Sequence, residues 1–194
     1  MRVEDFLSAA ERLFAEKGYR QTTMEDIARS AEYGTGTIYR YFESKDALYG
    51  ELFERKLAAY LDHLRERLTA SASPRARLRT LVHAKMDFFR QNREFLEIFA
   101  QEFVATAPSI DAALTPEAPD LRAQCLEVIR DVIKEGLRSG DFRATMDPDL
   151  AVAAISGLSN ELLLHCLRSG DVPTEKVEAF MTDFIENGLA AGPP

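Results

Sequence analysis

Thr22-Thr23-Met24-Glu25-Asp26-Ile27-Ala28-Arg29-Ser30-Ala31-Glu32-Tyr33-Gly34-Thr35-Gly36-Thr37-Ile38-Tyr39-Arg40-Tyr41-Phe42 is the stretch that decides how this chain folds. Thr22 and Thr23 are each followed three residues later by an acid, Glu25 or Asp26. A hydroxyl that accepts a backbone N–H, with an acid reaching back, is the capping box that starts a helix. The spacing predicts a short helix over Met24–Ala31, a break at Glu32–Gly34, and a third helix over Thr35–Phe42. Upstream, Phe6, Ala10, Leu13 and Phe14 recur at helical spacing, and Gly18 follows as a stop. Two short helices joined by a tight turn after a capped first helix make the helix-turn-helix plan, in which the second helix lies in a DNA major groove.

Within the third helix Ile38 and Phe42 fall four apart and face inward. Thr37, Tyr39, Arg40 and Tyr41 then project outward. Hydroxyls, phenols and one guanidinium suit phosphate oxygens and base edges. Gly36 lets the helix approach a sugar-phosphate wall with no side chain in the way.

The rest of the chain also reads as helix, so the fold class is all-α with about nine helices. Ser44 and Asp46 open a long fourth helix to about Thr69, and Ala70–Pro74 forms a small-residue hinge. Further helices are predicted over Arg75–Gln91, Arg93–Thr106, Leu121–Ser139, Pro148–Ser169 and Thr174–Leu189. Thr106–Asp120 holds three prolines and no apolar period, which predicts a mobile loop. The tail from Gly192 to Pro194 is expected to be disordered. Residues 1–46 form the helix-turn-helix domain, 47–194 an effector-binding and dimerisation domain, and the helix over 47–69 joins them.

These residues resemble the TetR family of repressors. The likeness is carried by Ala9-Ala10, Leu13-Phe14, Gly18-Tyr19, Thr22-Thr23, Ile27-Ala28, Ala31, Gly36-Thr37-Ile38-Tyr39, Tyr41-Phe42, Ser44-Lys45 and Leu48. It covers about the first fifty residues and implies a three-helix DNA-binding domain before a helical domain that dimerises and binds a small molecule. Carried over, Thr35, Thr37 and Tyr39 lie in the groove beside Gly36, with Thr35 the best base reader. Arg40 reaches a base or a phosphate, and Tyr41, Lys45 and Thr22 or Thr23 touch phosphates. Two positions depart from the pattern. Glu32 stands where glycine is usual, in a turn whose left-handed backbone strains glutamate. Gly34 stands where a hydroxyl usually caps the recognition helix.

A formal net charge of −8 argues against a broad cationic patch. Met1–Gly50 alone holds seven Lys or Arg against nine Asp or Glu. Binding must therefore rest on a few placed cations and backbone amides. No apolar run is read as a membrane span, the acidic start predicts no secretory signal, and a cytoplasmic location is expected. Cys125 and Cys166 make neither a disulfide framework nor a zinc site. Cys125, in an apolar run, is read as buried and inert, and Cys166 as without a cation to activate it. Glu161 and His165, at i, i+4, are too few for a metal site. No catalytic constellation appears, so neither an enzyme nor a cofactor is expected.

Phe95, Phe99 and Phe103 share one helical face. With Met86, Phe89, Ile129 and Ile133 they are the candidate lining of an apolar effector pocket, and His83, Arg90 and Arg93 are possible polar anchors. The last two helices carry Ala154, Gly157, Leu158, Leu162 and His165 on one, and Met181, Phe184 and Ile185 on the other. In the family such a pair joins its symmetry mate, and a helix-turn-helix needs two half-sites. The sequence therefore predicts a homodimeric regulator, a repressor released from a palindromic operator by a largely apolar small molecule. A transcriptional activator and a helical protein-binding adaptor are the alternatives.

Overall fold

The structure, a computed structural model, describes residues 2–70, 73–104, 119–169 and 172–190. Among these the helices are α1 (Arg2–Lys17), α2 (Met24–Ser30), α3 (Thr35–Ile38), α4 (Lys45–Thr69), α5 (Pro74–Gln91), α6 (Arg93–Glu102), α7 (Pro119–Ser139), α8 (Pro148–Ser169) and α9 (Thr174–Leu189). The only extended pairing among the described residues is an isolated bridge between Phe142 and Ala190. Of the loop expected over Thr106–Asp120, residues 106–118 lie outside the described residues, as does the tail 192–194, while Pro119 and Asp120 instead open α7.

Local chemistry sets the boundaries. Thr23 caps α2 with both hydrogen bonds of the capping box, to and from Asp26. Ser44 Oγ accepts from the Ala47 amide at the start of α4, and Ser73 Oγ accepts from Ala76 ahead of Pro74 in α5. Gly18 and Gly140 take φ of +84° and +80° where α1 and α7 stop. Two helices are shorter than their periodicity suggests. α3 ends at Ile38 rather than Phe42, and the chain continues as turns, Arg40 N–H to Thr37 O and Tyr41 N–H to Ile38 O. These i→i−3 bonds tighten the last turn without breaking the inward face. α6 ends at Glu102, short of Thr106.

The chain divides into two compact units that are not sequential. The first comprises Met1–Leu57 with Glu94–Ala118, the second Ala58–Arg93 with Pro119–Pro194. In the first, Phe6, Ala10 and Phe14 of α1 bury against Ile27 and Ala28 of α2, Ile38, and Leu48 and Tyr49 of α4. α6 adds to this unit. Tyr49 stacks on Phe95 at 4.4 Å and 9° between ring planes, and its hydroxyl donates to Phe95 O at 2.6 Å. Phe99 lies 4.8 Å from Phe53, and Phe103 stacks on Tyr49 at 4.9 Å.

In the second unit α5 lies against α7 and α9, and α8 against α7 and α9. Its core holds Leu61 and Leu64 of α4, Leu78, Val82, Met86 and Phe89 of α5, Ile133 of α7, Val152 of α8 and Met181 of α9. Gly136 must be glycine, because a Cβ there would fall 2.0 Å from the Phe142 ring.

α8 corrects one expectation. It is long and apolar enough to cross a bilayer by length and composition, with a mean hydropathy of 1.5 in its best window. Its leucines, alanines, Val152 and Ile155 lift the mean even though Asn160 and Glu161 interrupt the run. A third of that window (33%) is buried in the protein, and its exposed residues include the outward face described below.

Candidate nucleic-acid interface

α3 presents its side chains as its register requires. Ile38 is fully buried and Phe42 nearly so, while Thr35, Gly36, Tyr39, Arg40 and Tyr41 are exposed and Thr37 is half-buried. The two phenols are about half exposed, 48% for Tyr39 and 43% for Tyr41, which no surface aromatic needs for packing. Phe6 steadies the base of this row, 6.0 Å from the Tyr41 ring and 5.0 Å from Tyr33, whose hydroxyl donates to Asp5. That Tyr33 tie was not read from the sequence, because its partner lies 28 residues away.

The turn before α3 is a Schellman motif. Tyr33 N–H donates to Ala28 O and Glu32 N–H to Arg29 O. The residue at its left-handed position is Glu32, with φ of 63°, the strained glutamate that the sequence implies. Gly34 caps α3 with no side-chain hydrogen bond, at φ −70° and ψ 145°, a conformation open to any residue. A Cβ there meets nothing within 4 Å. Glu32→Gly is therefore expected to stabilise the protein by ~0.5–1 kcal/mol, the left-handed penalty less the entropy of glycine. Thermal melts should show Tm rising by about 2–4 °C per kcal/mol. Gly34→Ser should add only a few tenths of a kcal/mol. No change in the Glu32→Gly melt would mean that the turn is unstrained.

Two of the residues assigned to phosphates face elsewhere. Thr22 is buried, and its hydroxyl donates to Gly18 O at 2.8 Å and Leu13 O at 3.3 Å, so it ties α1 to the turn and is not available to DNA. Thr23 is exposed, and its side chain is engaged in the capping box. Lys45 is half-buried. Its ammonium donates to Tyr19 O at 2.6 Å and Thr22 O at 2.8 Å and sits 4.3 Å from the Tyr19 ring centroid. Burial pushes its pKa down. Beneath it the Tyr19 hydroxyl donates to Asp46. Burial first, then the bond to Asp46, drives the Tyr19 phenol's pKa far up.

The neighbouring acids are occupied. Asp26 is held at about 2, first by its bond from Lys17 and then by Thr23. Arg29 lies 4.0 Å from the same carboxylate. Arg40 has no acidic partner among the described residues, so it is the cation this face offers. One exposed guanidinium and two phenols on a short buried-backed turn can engage a groove, but carry little general attraction for phosphate.

Residues 6–52 match the family model of bacterial regulatory proteins of the tetR family, and residues 71–189 match that of the tetracyclin repressor-like C-terminal domain. The chain belongs to the TetR family. Its members named below are transcriptional regulators, and residues 6–52 are the family's DNA-binding helix-turn-helix region. The chain is 25% identical over 187 residues to the transcriptional repressor KstR2 of Rhodococcus jostii, covering 96% of this chain and 90% of that one. It shares the fold of FadR from Bacillus subtilis, solved with stearoyl-CoA, at a TM-score of 0.78 and 19% identity, over 96% and 98% of the two chains. A putative regulator from Saccharomonospora viridis, solved with choline, superposes at 0.77 with 24% identity, over 98% of each.

The other TetR-type sets distribute unevenly. The seven candidate effector residues are shared between the two units. Phe95, Phe99 and Phe103 belong to the aromatic cluster of the first unit. Met86, Phe89 and Ile133 are wholly buried core of the second, and only Ile129 of the seven is a half-buried residue there. A four-residue repeat of phenylalanines marks a shared face but not which core receives it. The anchors His83 and Arg90 both meet Glu178 of α9.

The candidate dimer residues split in two. Ala154, Gly157, His165 and Phe184 are exposed and Leu158 and Leu162 half-buried, whereas Met181 and Ile185 turn into the core. Leu150, at 72% exposure, and Phe180, at 50%, complete the outward face and were missed. Phe180 was legible as the i−4 neighbour of Phe184, on which it stacks at 5.7 Å. Between α8 and α9 lies a hollow of about 360 Å³ walled by Met146, Leu150, Ala154, Leu158 and Phe184. Glu161 approaches Arg168 and His165 meets Ser169. Cys125 is half-buried rather than buried, Cys166 is buried, and burial raises both thiols.

Proposed function

We propose that this TetR-family protein is a repressor that grips a pseudo-palindromic operator as a homodimer and leaves it when a small, largely apolar molecule binds the second unit. One observation carries the reading. Thr35, Tyr39, Arg40 and Tyr41 stand exposed on a turn whose other side, Ile38 and Phe42, is anchored in the core. Thr35 opens that row and is the proposed base reader, with Gly36 and Thr37 beside it. Tyr39, Arg40 and Tyr41 supply phosphate or base-edge contacts, and Thr23 lies exposed at the start of α2. Lys45 acts by position, holding the loop after α1 against α4.

Dimerisation is supported by the outward face of α8 and α9. Aromatic and leucine side chains stand there beside Ala154, Gly157 and Gly188, above which there is open space for a partner helix. That the fold neighbours hold stearoyl-CoA and choline favours a small-molecule effector, and the half-buried Phe88 and Ile129 favour an apolar one. Operator control places the protein in the cytoplasm.

Selection of random duplexes by the purified protein is expected to enrich a two-fold symmetric site with half-sites roughly 34 Å apart or somewhat more. Thr35→Ala should alter the preferred base at one position of each half-site and leave the rest. Failure to enrich any symmetric sequence at low salt would remove the operator reading.

A further inference from the structure

Glu32 sits against three local preferences at once. Its φ of 63° makes it the only non-glycine residue with a left-handed backbone among the described residues. A Cβ is crowded against the backbone there, and glycine or asparagine holds such a turn at less cost. Glu32 also follows Ala31, the cap at the C-terminal end of α2, where the partial negative charge of the helix disfavours a carboxylate. No cation compensates. Arg29, one turn earlier, leans on Asp26 at 4.0 Å, and among the described residues no Lys, Arg or His lies within ion-pair distance of Glu32.

The side chain is exposed, so core packing does not hold it there either. An outlier that the fold itself does not need points to what lies outside the fold. Glu32 stands three residues before Thr35, so at most about 11 Å of chain separates it from the first exposed group of α3. That is about one screening length in 0.1 M salt and well inside the ~30 Å of 0.01 M. A duplex that touches α3 therefore feels this charge whichever way the side chain points.

Little attraction stands against it. In the same unit Lys17 meets Asp26, Lys56 meets Glu11, and Arg55 meets Glu4 and Glu51. Arg40 is left as the unpaired cation of the turn.

We propose that Glu32 is a repulsive element of the DNA-binding face, which weakens attachment to the phosphate backbone of any sequence and keeps the protein off DNA that offers no base contacts. The inference rests on the reading of α3 as the groove-facing turn. Non-specific binding is almost wholly electrostatic, whereas operator binding also draws on base edges. A like charge near the duplex lowers both by the same factor. The operator complex keeps its base contacts and its second head, while attachment to random duplex, resting on few cations, falls away. Protein released from its operator then stands free in solution and does not stay on neighbouring sequence.

The test compares the full-length native protein with Glu32→Gln and Glu32→Gly on two probes, a mixed-sequence duplex and the symmetric duplex that selection enriches. Glu32→Gln keeps the side-chain shape and the backbone strain and removes the charge. In ~10 mM salt it should bind both probes about three- to tenfold more tightly than the native protein, with the difference below about twofold at ~0.5 M, where the field is screened within a few ångström. Its Tm and its base preferences should not change. Glu32→Gly should show the same gain in affinity together with the raised Tm of a relaxed turn, which separates charge from strain.

Native affinity of Glu32→Gln for mixed-sequence duplex at low salt overturns the proposal, as does a gain that high salt does not diminish. A changed base preference at one position of each half-site also overturns it, because Glu32 would then be a reader of base edges. The two readings fail separately. If the native protein enriches a symmetric duplex and Glu32→Gln is no tighter on either probe, the repulsion alone falls. If the native protein enriches no symmetric duplex and Glu32→Gln shows the salt-dependent gain on mixed sequence, the repulsion stands and the operator reading falls. No binding of any duplex by any of the three proteins removes both.

Discussion

Replacing Phe184 with glutamate should give a folded monomer that has lost operator binding by about a hundredfold or more. Phe184 is 56% exposed in the single chain, so the substitution removes no core contact and introduces no buried charge within one protomer. Across a two-fold axis it places two carboxylates together in an apolar interface, where each is desolvated and repels its twin. One head offers a short turn with one unpaired guanidinium, and binding depends on the second head being held near the second half-site. Light scattering and an operator titration on the same sample check this. Because Met181 and Ile185 form the core side of α9, Met181→Glu should instead unfold the second unit, and comparing the two variants separates interface from core. A Phe184→Glu monomer with native operator affinity would show that dimerisation lies elsewhere.

Lys45→Met should destabilise the protein by ~2–4 kcal/mol and weaken binding to every DNA sequence alike. The ammonium makes two charge-assisted bonds to Tyr19 O and Thr22 O and lies over the Tyr19 ring. Such bonds are worth about 1.5–3 kcal/mol each and the ring contact about 0.5–2, less the cost of part-burying the ion. Without them Thr22 O loses the ammonium and Tyr19 O keeps only the Thr22 amide, and the turn that carries Thr22 and Thr23 loosens against α4. The salt dependence decides between roles. A phosphate-contacting lysine would reduce the slope of log affinity against log salt by about one unit, whereas a positioning lysine leaves it unchanged. An unchanged slope with a lowered denaturation midpoint is the expected pair. A reduced slope at native stability would return Lys45 to the phosphate backbone.

The helix-turn-helix was legible because its signals are local. A capping box, a glycine stop and an inward pair four residues apart each depend on neighbours within one turn. So Thr23, Gly18, Ile38 and Phe42 stand as read. The strained Glu32 was legible only through the resemblance, whose pattern has glycine at that position of the turn. The carbonyl ties of Thr22 and Lys45 were not legible, because a hydroxyl or an ammonium has the same sequence signature whether it faces a phosphate or a carbonyl. Which it faces is set by Leu13, Gly18 and Tyr19, brought together only when α1 packs on α4.

The later helices divide along the same line. By itself the sequence determined that α8 and α9 are helices with apolar stripes, and that α6 carries three phenylalanines on one face. Only the tertiary structure decided which edge of each stripe is core. Met181 and Ile185 turn in while Phe180 and Phe184 turn out, and α6 joins the aromatic cluster around Tyr49. Periodicity fixes which residues share a helical face, because that is a property of the backbone repeat. It cannot fix the helix's rotation about its axis or its neighbour, because those depend on contacts between residues far apart in the chain.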